Sequence, residues 1–344
     1  MFTNLYGLNI EANRLDLILI MNRRQHLQAI LSGPLVLMLP DSVRAIAPAD
    51  DGTVKLGLIA DVHHDLIHDA PERLKAFLKV MRRERPHATV QLGDFAFPKP
   101  DNQEVVNLFN QSSSMPLHVI GNHDMDNGHT KAQCVAAWGI PASYYAKDVQ
   151  GIRLLILDGN QTGSPRYKGG YPSYIGPEQR AWLREELAQA KGPTIVISHQ
   201  PLAGPLAADD ALEIQEILGE FANKVLLAIN GHSHLDYLLR VRHVPYLHLN
   251  SASYYWVGEA YRHDNYPPEI MQKYPFAALT CPYRTCLFAT LSIDPARQVL
   301  TLRGRQSTWV GDSPAQLGLD IDPEILPGEH ITTQIRPREV ERVR

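Results

Sequence analysis

The chain is expected to fold as an α/β protein of stacked sheet and helix layers. Three features point there. Short apolar runs recur from residue 54 onward, and segments of helical periodicity separate them. Several runs are apolar throughout instead of alternating, as strands covered on both faces require. The first run, residues 54–60, leads into Asp61. Asp69, Pro71 and Glu72 then open a helix whose apolar face is Leu74, Phe77, Leu78 and Met81, and Pro86 closes it. Residues 89–92 and 117–120 are two further short strands, and 152–157, 194–197 and 225–229 are equally apolar. Among these last three, residues 177–190 and 209–221 carry helix patterning, the first with Pro177 in its opening turn. Strand-like segments then accumulate at 237–241, 246–250, 286–293 and 299–303. The tail from about Pro314 is polar and proline-punctuated, so its order is expected to come only from contact with the body.

Composition narrows the function. With 344 residues, 44% hydrophobic and 20% charged, the chain has an ordinary globular make-up, which excludes wholesale disorder and fibrous repeats. A formal net charge of -4 provides no global basic field for nonspecific nucleic-acid binding. Cys134, Cys281 and Cys286 are too few for a disulfide framework, and none lies in a Cys-x-x-Cys pair. Cys281 and Cys286 are close enough in sequence to bridge, with two free thiols as the other possibility. The unusual count is 15 histidines.

The first fifty residues read as an address. Met21 to Gln28 is polar and basic, an apolar stretch from Ala29 to Leu39 follows, and Ala47-Pro48-Ala49 is a small-residue cleavage site. The stretch is shorter than the roughly 20 residues that span a bilayer, so no transmembrane anchor is expected. Arg23-Arg24 followed by Leu27 resembles a twin-arginine export signal. On this reading Met21 is the true start, and the mature chain is periplasmic or secreted, beginning near Asp50.

Five of the apolar strands end on chemically similar residues. They run into Asp61-Val62-His63, Gly93-Asp94, Gly121-Asn122-His123-Asp124, Ser198-His199 and Gly231-His232-Ser233-His234. Ligands bind at the C-terminal edges of strands in α/β sheets because the departing loops converge there. Parallel neighbouring strands would therefore gather these side chains. The donors are carboxylate, imidazole and amide oxygen without thiolate, a set suited to Mn, Fe or Zn. In Asp61-x-His63 and His232-x-His234, both side chains of an extended segment point the same way. The donors are too many for one ion and about right for two. A pair of cations roughly 3.5–4 Å apart clamps a phosphoryl group and acidifies a bridging water.

As an ordered set these five motifs resemble those of the calcineurin-like metallophosphoesterases over about residues 55 to 250. The resemblance implies a layered β-sandwich flanked by helices (αββα). Residues 50–250 would be the catalytic core, and residues 251–344 would add extra C-terminal strands and a small cap to the same domain. It implies one metal on Asp61, His63, Asp94 and His234, and a second on Asp94, Asn122, His199 and His232, with Asp94 bridging. His123 would protonate the leaving oxygen, hydrogen-bonded to Asp124, while a bridging hydroxide attacks phosphorus. The substrate would be a small phosphate mono- or diester. The alternative is a catalytically silent binding or scaffold protein of the same fold, against which the complete ligand set weighs.

Departures from the family pattern also inform. Purple acid phosphatases place Tyr three residues after the Asp of Gly-Asp, where this chain has Phe97. Protein phosphatases place an Arg soon after that motif, and here only Lys99 is available to replace it. The long Gly- and Pro-rich loop 159–176 carries Arg166, Tyr167, Lys168, Tyr171 and Tyr174. Lys99, Arg166, Lys168 and Tyr171 are the expected substrate-binding residues. The aromatic cluster Tyr254-Tyr255-Trp256 is read as either a substrate wall or core packing, and 257–285 as the cap. His64, Asp65 and His68 are expected around the site without binding metal. His118 is expected to be a surface or packing residue, and His248, in an apolar strand, a satisfied core histidine.

Overall fold

A computed structural model describes residues 52–319, 325 and 329–341. The expected export signal at residues 21–49 and the choice between Met1 and Met21 as start lie outside these residues.

Among the described residues, fourteen strands and six α-helices follow one another as β1 (Val54–Ile59), α1 (Ala70–Glu84), β2 (Ala88–Gln91), α2 (Gln103–Asn110), β3 (Pro116–His118), α3 (Lys131–Trp138), β4 (Tyr145–Val149), β5 (Ile152–Ile156), α4 (Pro177–Gln189), β6 (Thr194–Ile197), α5 (Ala211–Glu220), β7 (Val225–Asn230), β8 (Tyr237–Val241), β9 (Val244–His248), β10 (Tyr254–Trp256), α6 (Pro268–Lys273), β11 (Thr280–Pro282), β12 (Ala289–Asp294), β13 (Val299–Arg303) and β14 (Arg338–Glu341). They build two mixed six-stranded sheets, β14-β13-β12-β1-β2-β3 and β4-β5-β6-β7-β9-β8, and a small two-stranded antiparallel sheet of β10 and β11. Strands β1, β2 and β3 are parallel, as are β5, β6, β7 and β9.

The apolar runs are explained by this layering. In β5, Ile152, Leu154 and Ile156 join the core cluster that also holds β1–β3, α1 and α2, whereas Leu155 joins a second cluster with Leu183 and Leu187 of α4 and Ile214, Ile217 and Leu218 of α5. Both faces are covered, so alternation disappears. Sequence and structure agree on an α/β sandwich of two sheets with helices outside. The five motif strands, however, are not neighbours in one sheet. Three of them (β1, β2, β3) lie in the first sheet and two (β6, β7) in the second.

The described part of the tail is held by contact with the body, as expected, and it adds a strand that the sequence did not show. Strand β14 pairs with β13 from Val299↔Glu341 to Leu302↔Arg338, and Val340 is buried. Arg336 and Arg338 both reach the buried carboxylate of Asp236, at 2.6 and 2.5 Å. A four-residue edge strand with two charged exposed positions has too little periodicity to show in sequence, and it forms because β13 offers an open edge. The segment 257–285 contains α6, short tight turns and β11, and so forms the long connection between β10 and β11, and its Tyr266 packs on His68 at 4.5 Å. All three cysteines are free and buried.

His118 at the end of β3 is fully enclosed. Its ring lies 5.3 Å from Trp138 and 4.8 Å from Phe109. Nε2 donates to Asn110 Oδ1 at 2.8 Å and Nδ1 accepts from Gln91 Nε2 at 3.2 Å. Both nitrogens are thus satisfied by the neutral tautomer, and burial lowers the pKa to about 3. Below pH ~6.5 the unfolded chain takes up a proton that the folded chain refuses. Stability should therefore fall by about 1.4 kcal/mol per pH unit from this group alone as pH drops from 6.5 toward 3. Denaturant unfolding of the parent and of His118→Gln as a function of pH checks this. The expected result is a shallower pH slope in the variant, and equal slopes would refute it.

Candidate metal centre

Seven side chains leave the C-terminal ends of the two sheets toward one another. Asp61, His63, Asp94 and Asn122 follow β1, β2 and β3, whereas His199, His232 and His234 follow β6 and β7. Six are buried and His232 is half-buried. Asp61, His63 and His234 bring one ligand atom each within 4.8 Å of one another, and so do Asp94, His199 and His232. Within the first group His63 Nε2 and His234 Nε2 are 3.3 Å apart, and His234 Nε2 is 3.3 Å from Asp61 Oδ1. Within the second, His199 Nε2 is 3.1 Å from Asp94 Oδ2, 3.2 Å from His232 Nδ1 and 3.1 Å from Asn122 Oδ1. Asp94 Oδ2 also lies 3.8 Å from His63 Nε2, so this carboxylate touches both groups.

The tautomers are set from behind. His199 Nδ1 and His234 Nδ1 each lie 2.8 Å from a backbone carbonyl, of Leu92 and Tyr254 respectively. A carbonyl only accepts, so both rings donate through Nδ1 and aim a lone pair from Nε2 inward. His63 lies against the ring of Tyr254, 4.8 Å away and nearly parallel. Unprotonated nitrogens facing each other at this spacing repel unless positive charge sits between them. Electrostatics agrees for His63 and His232, whereas His199 without a cation beside it meets the need for positive charge with its own proton. Burial keeps His63 well below its usual pKa, and burial beside His199 pushes His232 down to about 3. For His199 burial opposes charge, but Asp94 outweighs it and lifts the pKa to about 9. The residues present therefore fit a pair of hard or borderline cations.

Backbone strain marks the same place. Asp61, His63, Asp94, His232 and His234 all have φ between 50° and 63°, a left-handed conformation uncommon for residues other than Gly. Close packing explains the motif glycines. A Cβ on Gly93 would fall 2.3 Å from His199 Nδ1, and one on Gly121 would fall 2.2 Å from the Asp94 backbone nitrogen.

Two site residues behave differently from expectation. Asp124 does not hold His123. Its buried carboxylate accepts from the backbone N–H groups of Gly121 (2.8 Å), Asp94 (3.0 Å), Phe95 (2.7 Å) and Ala96 (3.0 Å), stitching two motif loops together. His123 Nδ1 pairs instead with Asp126 Oδ2 at 2.8 Å. The reason is local: one tight helical turn starts at His123, and such a turn stacks residue i+3 beside residue i while i+1 points elsewhere. The sequence does offer Asp126, and the turn geometry selects it. Burial opposes a proton on His123, but the carboxylates of Asp94 and Asp126 outweigh it and raise the pKa. Asp124→Ala leaves four buried donors without their acceptor, and stability should fall by about 3 kcal/mol or more. A denaturation midpoint unchanged from the parent would contradict that role for Asp124.

The expected substrate cations do not gather either. Lys99 Nζ is bound to Asp65 at 2.6 Å. Arg166 Nη2 is bound to Glu213 at 2.9 Å, on α5, and Lys168 is exposed on the loop. From loop 159–176 it is Tyr171 that reaches the centre, donating to Asp126 Oδ1 at 2.7 Å and lying 3.3 Å from His123 Nδ1. Above the metal ligands is a cavity of about 320 Å³ whose outer wall is Tyr171, Leu206, Tyr255 and Trp256. Tyr254 is both core and site, because its ring lies under His63 while its neighbours face the cavity. Leu206 has no sequence signal: it stands alone in a loop after the fourth motif.

The model for calcineurin-like phosphoesterases matches residues 54–236. The chain belongs to this family. Comparison with curated proteins finds no match. Among solved structures, a dimetal phosphatase from Danio rerio is similar with a TM-score of 0.51 at 15% identity, covering 75% of this chain and 98% of that one. GAP50, the anchor in the inner membrane complex of Plasmodium, is similar with a TM-score of 0.52 at 14% identity, covering 85% and 90%. At such identities the likeness extends to the fold. The family uses a dinuclear metal site, and the two groups are the candidate ligands for it. Among the described residues no helix is long and apolar enough to cross a membrane.

Proposed function

We infer that this phosphoesterase-family chain hydrolyses small phosphate mono- or diesters with two cations of the Mn, Fe or Zn type. The observation that carries the reading is the convergence of Asp61, His63, His234 and of Asp94, His199, His232 with Asp94 in reach of both groups. Bound there, two cations would supply an acidified water and neutralise charge on the phosphoryl oxygens. The protein's own residues do the rest. His123 faces the cavity from the edge of the ligand cluster, its ring 5.4 Å from that of His63. With Nδ1 held by Asp126, a proton for the departing ester oxygen comes from Nε2. Tyr171 steadies the other oxygen of Asp126. A silent scaffold would have no need to keep every ligand and the strained backbone that aims them.

The test is hydrolysis of p-nitrophenyl phosphate and bis(p-nitrophenyl) phosphate by protein whose metal content has been measured. Activity abolished by chelator and restored by Mn, Fe or Zn is expected. Fully loaded protein that hydrolyses neither would sink the reading. Export through the Arg23-Arg24 signal is the companion proposal for location, and intact mass of the native protein that still included residues 21–49 would overturn it.

A further inference from the structure

The cavity over the metal ligands offers a phosphate ester less positive charge and more apolar surface than the sequence led one to expect. Among the described residues that line it there is no Lys or Arg. The nearby candidates are committed elsewhere, Lys99 to Asp65 and Arg166 to Glu213. Opposite the ligands stand three large side chains that remain exposed around one mouth: Leu206 at 61%, Tyr171 at 48% and Trp256 at 41%. Leu206 is held outward with φ 59°, a conformation that is costly for a bulky residue and that the loop maintains. Clustered exposed apolar groups beside polar ligands mark a binding wall. A volume of about 320 Å³ accommodates a phosphoryl group with a ring-sized substituent.

Resting on the phosphoesterase reading, we propose that this site is built for phosphodiesters, with an aromatic or other apolar esterifying group seated against Leu206 and Trp256. The physical reason is charge. A monoester presents a dianion at neutral pH, and beyond the cations and the His123 imidazole at the ligand edge its second charge meets no Lys or Arg in this cavity. A diester presents a monoanion, and its second substituent replaces a charged oxygen with surface that Leu206 and Trp256 can cover. The bond broken is the same in both cases: water adds to phosphorus, the P–O bond to one alcohol or phenol breaks, and His123 protonates that oxygen, leaving a monoester as product.

Three substrates separate the terms: bis(p-nitrophenyl) phosphate, methyl p-nitrophenyl phosphate and p-nitrophenyl phosphate. The aryl diester should show kcat/KM about tenfold or more above the monoester. In a Leu206→Ser/Trp256→Ala double variant, KM for bis(p-nitrophenyl) phosphate should rise about tenfold while values for methyl p-nitrophenyl phosphate stay within about twofold. As a readout independent of turnover, isothermal titration calorimetry should show monoanionic phenyl phenylphosphonate binding more tightly than dianionic phenylphosphonate to the parent and losing that advantage in the double variant. Far-UV circular dichroism and metal content establish that the double variant is folded and loaded. Monoester preference, or equal loss on both diesters, overturns the substrate class while leaving the phosphoesterase reading intact. Inactivity of loaded protein on all three substrates removes the reading beneath it.

Discussion

Asp94→Asn should lower kcat by a factor on the order of 10³ or more, about 4 kcal/mol of transition-state stabilisation, and should leave at most one metal per chain. The argument is specific to this carboxylate. Asp94 Oδ2 lies 3.1 Å from His199 Nε2 and 3.8 Å from His63 Nε2, so removing its charge weakens both ligand groups at once. Its Oδ1 accepts the backbone N–H of His123 at 2.8 Å, a contact that the asparagine oxygen can keep. The residue also sits at φ 51°, where Asn is among the side chains best tolerated. The variant should thus fold while losing its cations. The pKa of His199, held up chiefly against burial by Asp94, should drop in the same variant. Metal analysis alongside kinetics decides the matter, and two retained ions with parental kcat would contradict the bridging position.

The second large effect belongs to His123. Its replacement by Ala should cost about 10²–10⁴ in kcat for an ester with an alkyl leaving group, and much less for p-nitrophenol, which departs without needing a proton. Metal content should not change, because no ligand is removed. Asp126→Asn should follow the same leaving-group dependence at up to about 10²-fold, since it misplaces the imidazole instead of deleting it. Asp124 separates position from proximity in sequence. Damage there should register first as lost stability, through its four backbone donors. A His123→Ala penalty equal for alkyl and nitrophenyl esters would argue against proton delivery by this residue.

Much of this was legible before any coordinates. The ligands Asp61, His63, Asp94, Asn122, His199, His232 and His234 each follow an apolar strand that has to be buried, and Asp or His at a strand's end has few bland uses. The core strands could be read because burial on both faces leaves a run apolar throughout, as Ile152–Ile156 shows by dividing its side chains between two clusters. Strand β14 could not be read this way, since four residues at an edge bury one side chain.

The two-sheet sandwich was legible only through the resemblance of the ordered motifs to a known family; the sequence by itself determined the kinds of donor atom and their order along the chain. Those follow from hydrophobic periodicity and from residue chemistry at strand ends, both of which are local properties. Tertiary structure alone decided who pairs with whom: Asp126 instead of Asp124 beside His123, Lys99 given to Asp65, Arg166 given to Glu213, and Leu206 brought over the ligands from a distant loop. A side chain's partner depends on the backbone direction at its own turn and on segments tens of residues away, and neither is encoded in spacing.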